Sequence, residues 1–367
     1  MAHIDNRSAL THAWFEKTGP AGEVYDVLAV RGTFDFPAQG QTLTLASRQT
    51  PIAWGDEHQG PADEPLRMVL AREGDAVLYK PRADLLITGT ARTADAQPMQ
   101  SWLARVTVGA HRKTLQLHGP RRFELGFVDW KLTAPQATTQ VALDYRLAFG
   151  GLFTAPAQGQ ESARSLYKPD NPAGCGWLPD TKALRPLSKR ARDHIQAQIR
   201  ALRHMPAPQI EDPKRPIKYP DEPRPAQGVA PIARWWQPRL SHLGTRDENW
   251  LRQRYPQPPQ DFNPAYYQSA HPDLILPGRL KGDEAITLEG LLPEGARTLH
   301  LPALRVIGLT EQASNKKSAG QLALDTVRLD LDSRQAVLVW RATFERADPV
   351  RQIALAALMT PTKARHG

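Results

Sequence analysis

Residues 24–36 read VYDVLAVRGTFDF. Apolar side chains recur at every second position, so Leu28, Val30, Phe34 and Phe36 share one face, with Asp26 and Gly32 in the same register. A period of two marks a strand with one buried face, because successive side chains point to opposite sides of the pleat. Arg31 is then expected to point outward. The pattern repeats in WLARVTVG, where Trp102, Ala104, Val106 and Val108 oppose Arg105 and Thr107, and in VALDYRLAF, with Val141, Leu143, Tyr145, Leu147 and Phe149. Short alternating runs separated by Gly, Pro and Asp turns, with no helical pattern between them, predict a mainly β region over residues 1–150. Its antiparallel sheets are expected to pack as a sandwich or a barrel.

Alternation returns over residues 279–367 in EAITLEG, RTLHLPALRVIG, LALDTVRLDLD and QAVLVWRATFE, with Asp332 and Ser333 at a hairpin turn. LAVRGTF at residues 28–34 and LVWRATF at 338–344 share Leu, Arg, Thr and Phe in one register, and Arg146 and Phe149 repeat the R-x-x-F spacing. Duplicated strands would give that echo, and so would unrelated strands with an inward Phe and an outward Arg. This last region is expected to pack on the first as one unit.

Residues 151–278 differ. Eighteen of the 33 prolines fall between Pro172 and Pro277, a density that forbids long ladders and helices because each proline removes a donor and fixes φ. One exception is an amphipathic helix expected over 186–205, with Leu187, Ala191, Ile195, Ile199 and Leu202 along one stripe and Pro206 and Pro208 ending it. The part from 230 to 267 also carries Trp235, Trp236, Trp250, Tyr255, Phe262, Tyr266 and Tyr267. Disordered linkers lack such aromatics, so this is read as an ordered, irregular coat across a sheet.

Apolar content of 41% and charged content of 23% exclude wholesale disorder. A net charge of +9 invites a nucleic-acid reading, but the excess is dispersed rather than gathered on one face. No apolar run approaches the roughly 18 residues of a membrane span, and the first residues lack the apolar core of a signal peptide. A cytoplasmic protein, with no nucleic-acid or membrane partner, is expected.

Candidate chemistry is thin. Cys175, the only cysteine, sits between glycines, yet a reactive thiol needs a base or cation beside it. His194, His204, His242 and His271 carry no local signature that would name one of them as that base. His58, His111 and His118 lack metal-ligand spacing, and phosphate-loop and nucleophile-elbow motifs are missing. No catalytic residue, metal ligand or cofactor is therefore assigned. The helix is basic, with Lys182, Arg185, Lys189, Arg190, Arg192, Arg200 and Arg203 within or beside it. Arg246, Asp247, Glu248 and Arg252 form either an acid–base cluster or an ion-pair network that pins a loop. An enzyme using a Cys/Arg/Asp cleft is the alternative reading.

Nine ordered pieces carry a resemblance: VRGTFDF, YKPRADLLITGTA, VTVGAHRKTLQLHGPRRFE, YRLAFGG, NPAGCGWLPD, PAQGVAPIARWWQPRLSHLGTRDENW, PQPPQDFNPAYYQSAHPDL, LKGDEAITLEGLLPEG and HLPALRV. The chain resembles the bacterial type VI secretion accessory proteins grouped as domain of unknown function 2169. The resemblance implies a non-enzymatic, cytoplasmic adaptor or chaperone that binds a toxic effector or a spike-tip protein and assists its loading onto the secretion spike. It implies no cofactor. The pattern N-P-x-G-x-G-aromatic makes Asn171, Pro172, Gly174, Gly176 and Trp177 a structural turn and leaves Cys175 on a free position. YRLAFGG lacks an acidic residue often seen in that segment, and residues 186–225 look like an insertion. Under this reading Trp235, Trp236 and Trp250 bury against the cargo, while Arg190 and Arg200 steer its acidic surface.

Overall fold

The strand Val24–Asp35 lies second in a seven-stranded sheet. Its order is Thr11–Thr18, Val24–Asp35, Gln335–Glu345, Ala323–Asp330, Ala83–Thr88 and Ile275–Leu276, with Thr44–Leu45 beside the end of Val24–Asp35. Neighbours are antiparallel except Ala83–Thr88, which runs parallel to Ala323–Asp330. This is a computed structural model, and it describes residues 2–39, 41–155 and 164–359. The two echoing segments are direct neighbours, with Val30 opposite Trp340 and Leu28 opposite Ala342. Between the strands ending at Asp330 and starting at Gln335, Asp330 Oδ1 accepts from the amides of Asp332 (3.0 Å) and Ser333 (3.2 Å) and closes the turn.

A second sheet runs in the order Ile210–Glu211, His111–His118, Ser101–Val108, Ala285–Glu289, Arg297–His300 and is antiparallel throughout. Trp102, Ala104, Val106 and Val108 on its inner face share one apolar core with Leu28, Val30, Phe34, Leu338 and Trp340 of the first sheet. A third sheet, His3–Asn6, Val350–Met359, Leu304–Gln312, Lys317–Gln321, adds Val306, Ile353 and Leu355 to that core. The protein is mainly β, built of several antiparallel sheets, and none of them closes into a barrel among the described residues.

Three expectations change. Arg31 does not face solvent: it and Arg341 are almost wholly buried, because the first sheet is covered on both faces. The run from Val141 to Phe149 is not one strand but Gln140–Ala142, a 3-10 turn Tyr145–Leu147, and Phe149–Gly150. Asp144 breaks it by accepting from the Arg146 amide (2.8 Å) and pairing with the Arg146 guanidinium. The helix is shorter than 186–205. It spans Lys189–Ala201, starting where the Ser188 hydroxyl accepts from the Ala191 amide (3.1 Å), and His204–Pro206 is instead a strand paired with Arg122–Leu125. Ile195 on its stripe is buried, with Leu187 and Ile199 packed against the same small cluster over Phe153 and Leu166.

Candidate functional site

The turn around Cys175 is built from Asn171. Its side chain is fully buried, and Nδ2 donates to the carbonyls of Tyr145 (2.8 Å) and Phe149 (3.3 Å). Its own carbonyl accepts from Gly151 (2.9 Å) and Gly174 (3.3 Å). A Cβ at Gly174 would lie 2.4 Å from Asn171 Nδ2, and Gly176 holds a φ of +81° with Pro208 against it, so both positions need glycine. Pro172 is buried and Trp177 packs on the cluster around Phe123 and Phe149. Burial pushes the Cys175 thiol up to about 12, against a weak pull from Arg121. A thiolate nucleophile needs the opposite shift. Among the described residues no imidazole bonds it: His194 lies beside Gln198 and His271 beside Lys113.

The tryptophans separate. Trp236 has no exposed surface and meets the Tyr145 ring edge-on at 5.6 Å, so it is a core residue and has nothing to offer a cargo. It follows the buried Ile232 and Ala233 and joins the same apolar core. Trp235 is half-buried, with its ring 4.8 Å from that of His58. Trp250 is half-buried on the short helix Glu248–Gln253, donating Nε1–H to the Gln257 carbonyl at 2.8 Å. Arg190 and Arg200 are exposed on the helix Lys189–Ala201. Arg246, Asp247, Glu248 and Arg252 do not form a pinning network. Asp247 caps the helix at the Trp250 amide, Glu248 pairs with Arg252 in solvent (2.8 Å), and Arg246 lies over the Trp250 ring at 5.2 Å.

What pins the coat lies beneath it. On the face of the first sheet opposite the apolar core, Arg31 donates to Asp75 Oδ2 at 2.7 Å. Arg341 pairs with Asp325 and also donates to the Asp75 carbonyl at 2.9 and 3.1 Å. Arg328 donates to the Glu73 carbonyl at 3.3 Å. Lys80, with no exposed side-chain surface, bridges Glu73 (2.5 Å) and Asp84 (2.6 Å). Burial alone would raise Glu73, but Lys80 and Arg328 hold it down to about 2. Asp84 then reaches the coat, accepting from the Ser269 amide (2.8 Å) and from Gln268 Nε2 (2.6 Å). Arg234 forks onto Asp56 (2.6 and 3.1 Å), and Arg239 ties the carbonyls of Ile232 (2.6 Å) and Tyr266 (3.1 Å) together. Most of these buried charges are paired or bonded to carbonyls, as their desolvation demands, while Arg328 keeps Nε and Nη1 without a hydrogen-bond partner. The sequence signal was Asp84 inside the apolar run ADLLIT.

A smaller cluster sits on the second sheet. Lys113 shares the inward register of Leu115 and Leu117, and donates to Gln227 (2.6 Å) and Asp273 (2.9 Å), with His271 Nε2 at 3.2 Å. Burial and the neighbouring ammonium lower His271 to about 4. Among the described residues no group of three or more His, Cys, Asp or Glu side chains could hold a metal ion, and no helix is long and apolar enough to cross a membrane.

A family model described as an uncharacterized protein conserved in bacteria, domain of unknown function 2169, matches residues 21–341. The chain belongs to this family. No curated protein and no solved structure matches it. The region matched to domain of unknown function 2169 reaches from before Arg31 to Arg341, so it contains every member of the buried ionic layer.

The coat meets the edge strand Thr11–Thr18, which lies before the matched region, at a cavity of about 220 Å³, lined by Lys17, Leu78, Arg234, Arg246, Phe262, Tyr266 and Tyr267 among others. Aromatic rings and cations continue from it in both directions. Lys17 lies over Phe15 (5.8 Å), whose ring meets Trp54 (5.8 Å). On the other side Arg246 lies over Trp250, and Trp250 meets Tyr255 at 5.7 Å. Trp54 and Tyr255, at the two ends, are 64% and 65% exposed. Phe15, Lys17 and Trp54 were not picked out from the sequence, because each stands alone in it and only folding brings them beside the coat.

Proposed function

We propose that this protein is a type VI secretion adaptor or chaperone. It binds a toxic effector or a spike-tip protein in the bacterial cytoplasm and assists its loading onto the secretion spike. The observation that carries the binding role is the band from Trp54 through Phe15, Lys17, Arg246 and Trp250 to Tyr255. Trp, Tyr and Arg are the side chains that dominate protein–protein affinity, and a surface already ordered loses less entropy on binding. The ionic layer under the coat supplies that order. Arg190 and Arg200, exposed on their helix, add a long-range pull on an acidic partner. The secretion context itself comes from the resemblance of the nine sequence pieces.

The test is co-purification of the tagged protein with the products of its neighbouring genes, followed by export of those products in its absence. A stable complex with a toxin or spike-tip protein whose export then fails is the expected result. Normal export without this protein, and no complex, would end the proposal.

A further inference from the structure

We infer that the cavity between Lys17, Arg234 and Arg246 is a socket for a carboxylate side chain of the bound partner. The inference rests on the binding reading above and adds what the surface recognises. Three cations from separate parts of the chain converge on one cavity: Lys17 from the edge strand, Arg234 and Arg246 from the coat. Only Arg234 has a carboxylate partner, Asp56. Among the described residues neither Lys17 nor Arg246 has an ion pair, and the nearby acids are engaged elsewhere. Asp247 caps a helix, Glu248 pairs with Arg252, and Asp261 accepts from the amide (2.9 Å) and hydroxyl (2.8 Å) of Thr245. Burial and the Arg234 charge lower Lys17, the direction expected where positive charges crowd without compensation.

Size and wall chemistry narrow the ligand. At about 220 Å³ the cavity falls below the roughly 300–1,000 Å³ of sites for cofactors and drug-sized molecules. Its floor and sides include Leu78, Phe262 and Tyr266, which suit methylene groups rather than a bare inorganic ion. Glutamate combines both requirements: an apolar stem for the walls and a charged end for the cations. Arg234 already forks onto the Asp56 carboxylate (2.6 and 3.1 Å), the geometry that favours guanidinium over ammonium for this group.

The experiment uses the full chain and follows the Trp250 indole N–H resonance, assigned with Trp250→Phe, since that ring lies under Arg246. The probes are a glutamate-centred blocked pentapeptide, its glutamine isostere, inorganic phosphate and oligothymidylate at matched ionic strength. The glutamate peptide should give a saturable shift, the glutamine peptide none, and Lys17→Gln and Arg246→Gln should each weaken binding at least fivefold. Equal response to both peptides, or indifference to both substitutions, would overturn the socket. Phosphate binding with the same sensitivity, and no peptide binding, would make it a free oxyanion site. Tighter oligothymidylate binding lost in the same variants would reassign the band to nucleic acid. A partner found by co-purification that still binds a Lys17→Gln/Arg246→Gln variant would sink the socket alone, while no partner at all would sink the adaptor reading alone.

Discussion

The two faces of the first sheet solve burial in opposite ways. One carries Leu28, Val30, Phe34, Leu338 and Trp340 into the apolar core. The other carries Arg31, Asp84, Asp325, Arg328 and Arg341 into an interior about as deeply buried as the first. On the apolar face attraction is additive and undirected, so a lost methyl group costs its own contacts and a cavity. On the ionic face each charge is tolerable only while its partner stands in place. The lesson is that the ionic face is poor as a source of stability and good as a source of position. It fixes where the segments 73–80 and 230–274 lie, which a greasy contact alone would leave free to slide.

The comparison breaks most sharply at Lys80. Lys80→Met leaves Glu73 and Asp84 buried with no cation between them, and should cost about 5 kcal/mol, the upper end for breaking a buried pair. Leu338→Ala on the opposite face should cost about 3 kcal/mol. Urea unfolding measures both, and a Lys80→Met variant as stable as the wild type would show that the ionic face is not a set of obligate pairs.

The pH dependence sharpens the same point at Lys113. His271 is held neutral in the folded protein, at about 4 rather than the ordinary 6.5, by burial and by the Lys113 ammonium. Its contribution is therefore whole above pH 6.5 and lost as pH falls through about 4, roughly 3 kcal/mol in all. Glu73, at about 2, is a depressed carboxylate whose share is present above its unfolded value and is lost between about pH 4.5 and 2. Unfolding from pH 7 to 3 should show the first loss, and His271→Gln should flatten it. An unchanged slope would remove His271 from the account.

The smallest effect belongs to the exposed helix. Arg190→Glu with Arg200→Glu should change stability by no more than about 0.5 kcal/mol, since both side chains are in solvent.

How much of this was legible varies by residue, for a physical reason. Alternation in residues 24–36 located the core strand correctly, because Leu28, Val30 and Phe34 obey the period that one buried face imposes. The same period misplaced Arg31. It cannot distinguish a charge in water from a charge under a second layer, and that layer is supplied by residues far away in sequence, Asp75 among them. Lys80, Asp84 and Lys113 were hidden likewise, although Asp84 in an apolar run and Lys113 in the register of Leu115 and Leu117 are charges where the pattern wants hydrocarbon. Trp236 misled in the other direction: an aromatic in a proline-rich stretch reads as a surface anchor, yet it joins the apolar core with Ile232 and Ala233.

The most direct test of the account is hydrogen exchange of the coat in the wild type and in Asp84→Ala. Asp84 is a sheet side chain that grips both Lys80 and residues 268–269. The wild-type amides of Ile232 and Ser269, bonded at 2.8 Å to the Ser269 carbonyl and the Asp84 carboxylate, should be strongly protected. In Asp84→Ala, protection across 230–274 should fall well before that of Val24–Asp35, showing a coat set loose on an intact sheet. Fast exchange of the coat in the wild type, or equal loss in coat and sheet, would contradict the claim that the buried charges hold this surface in place.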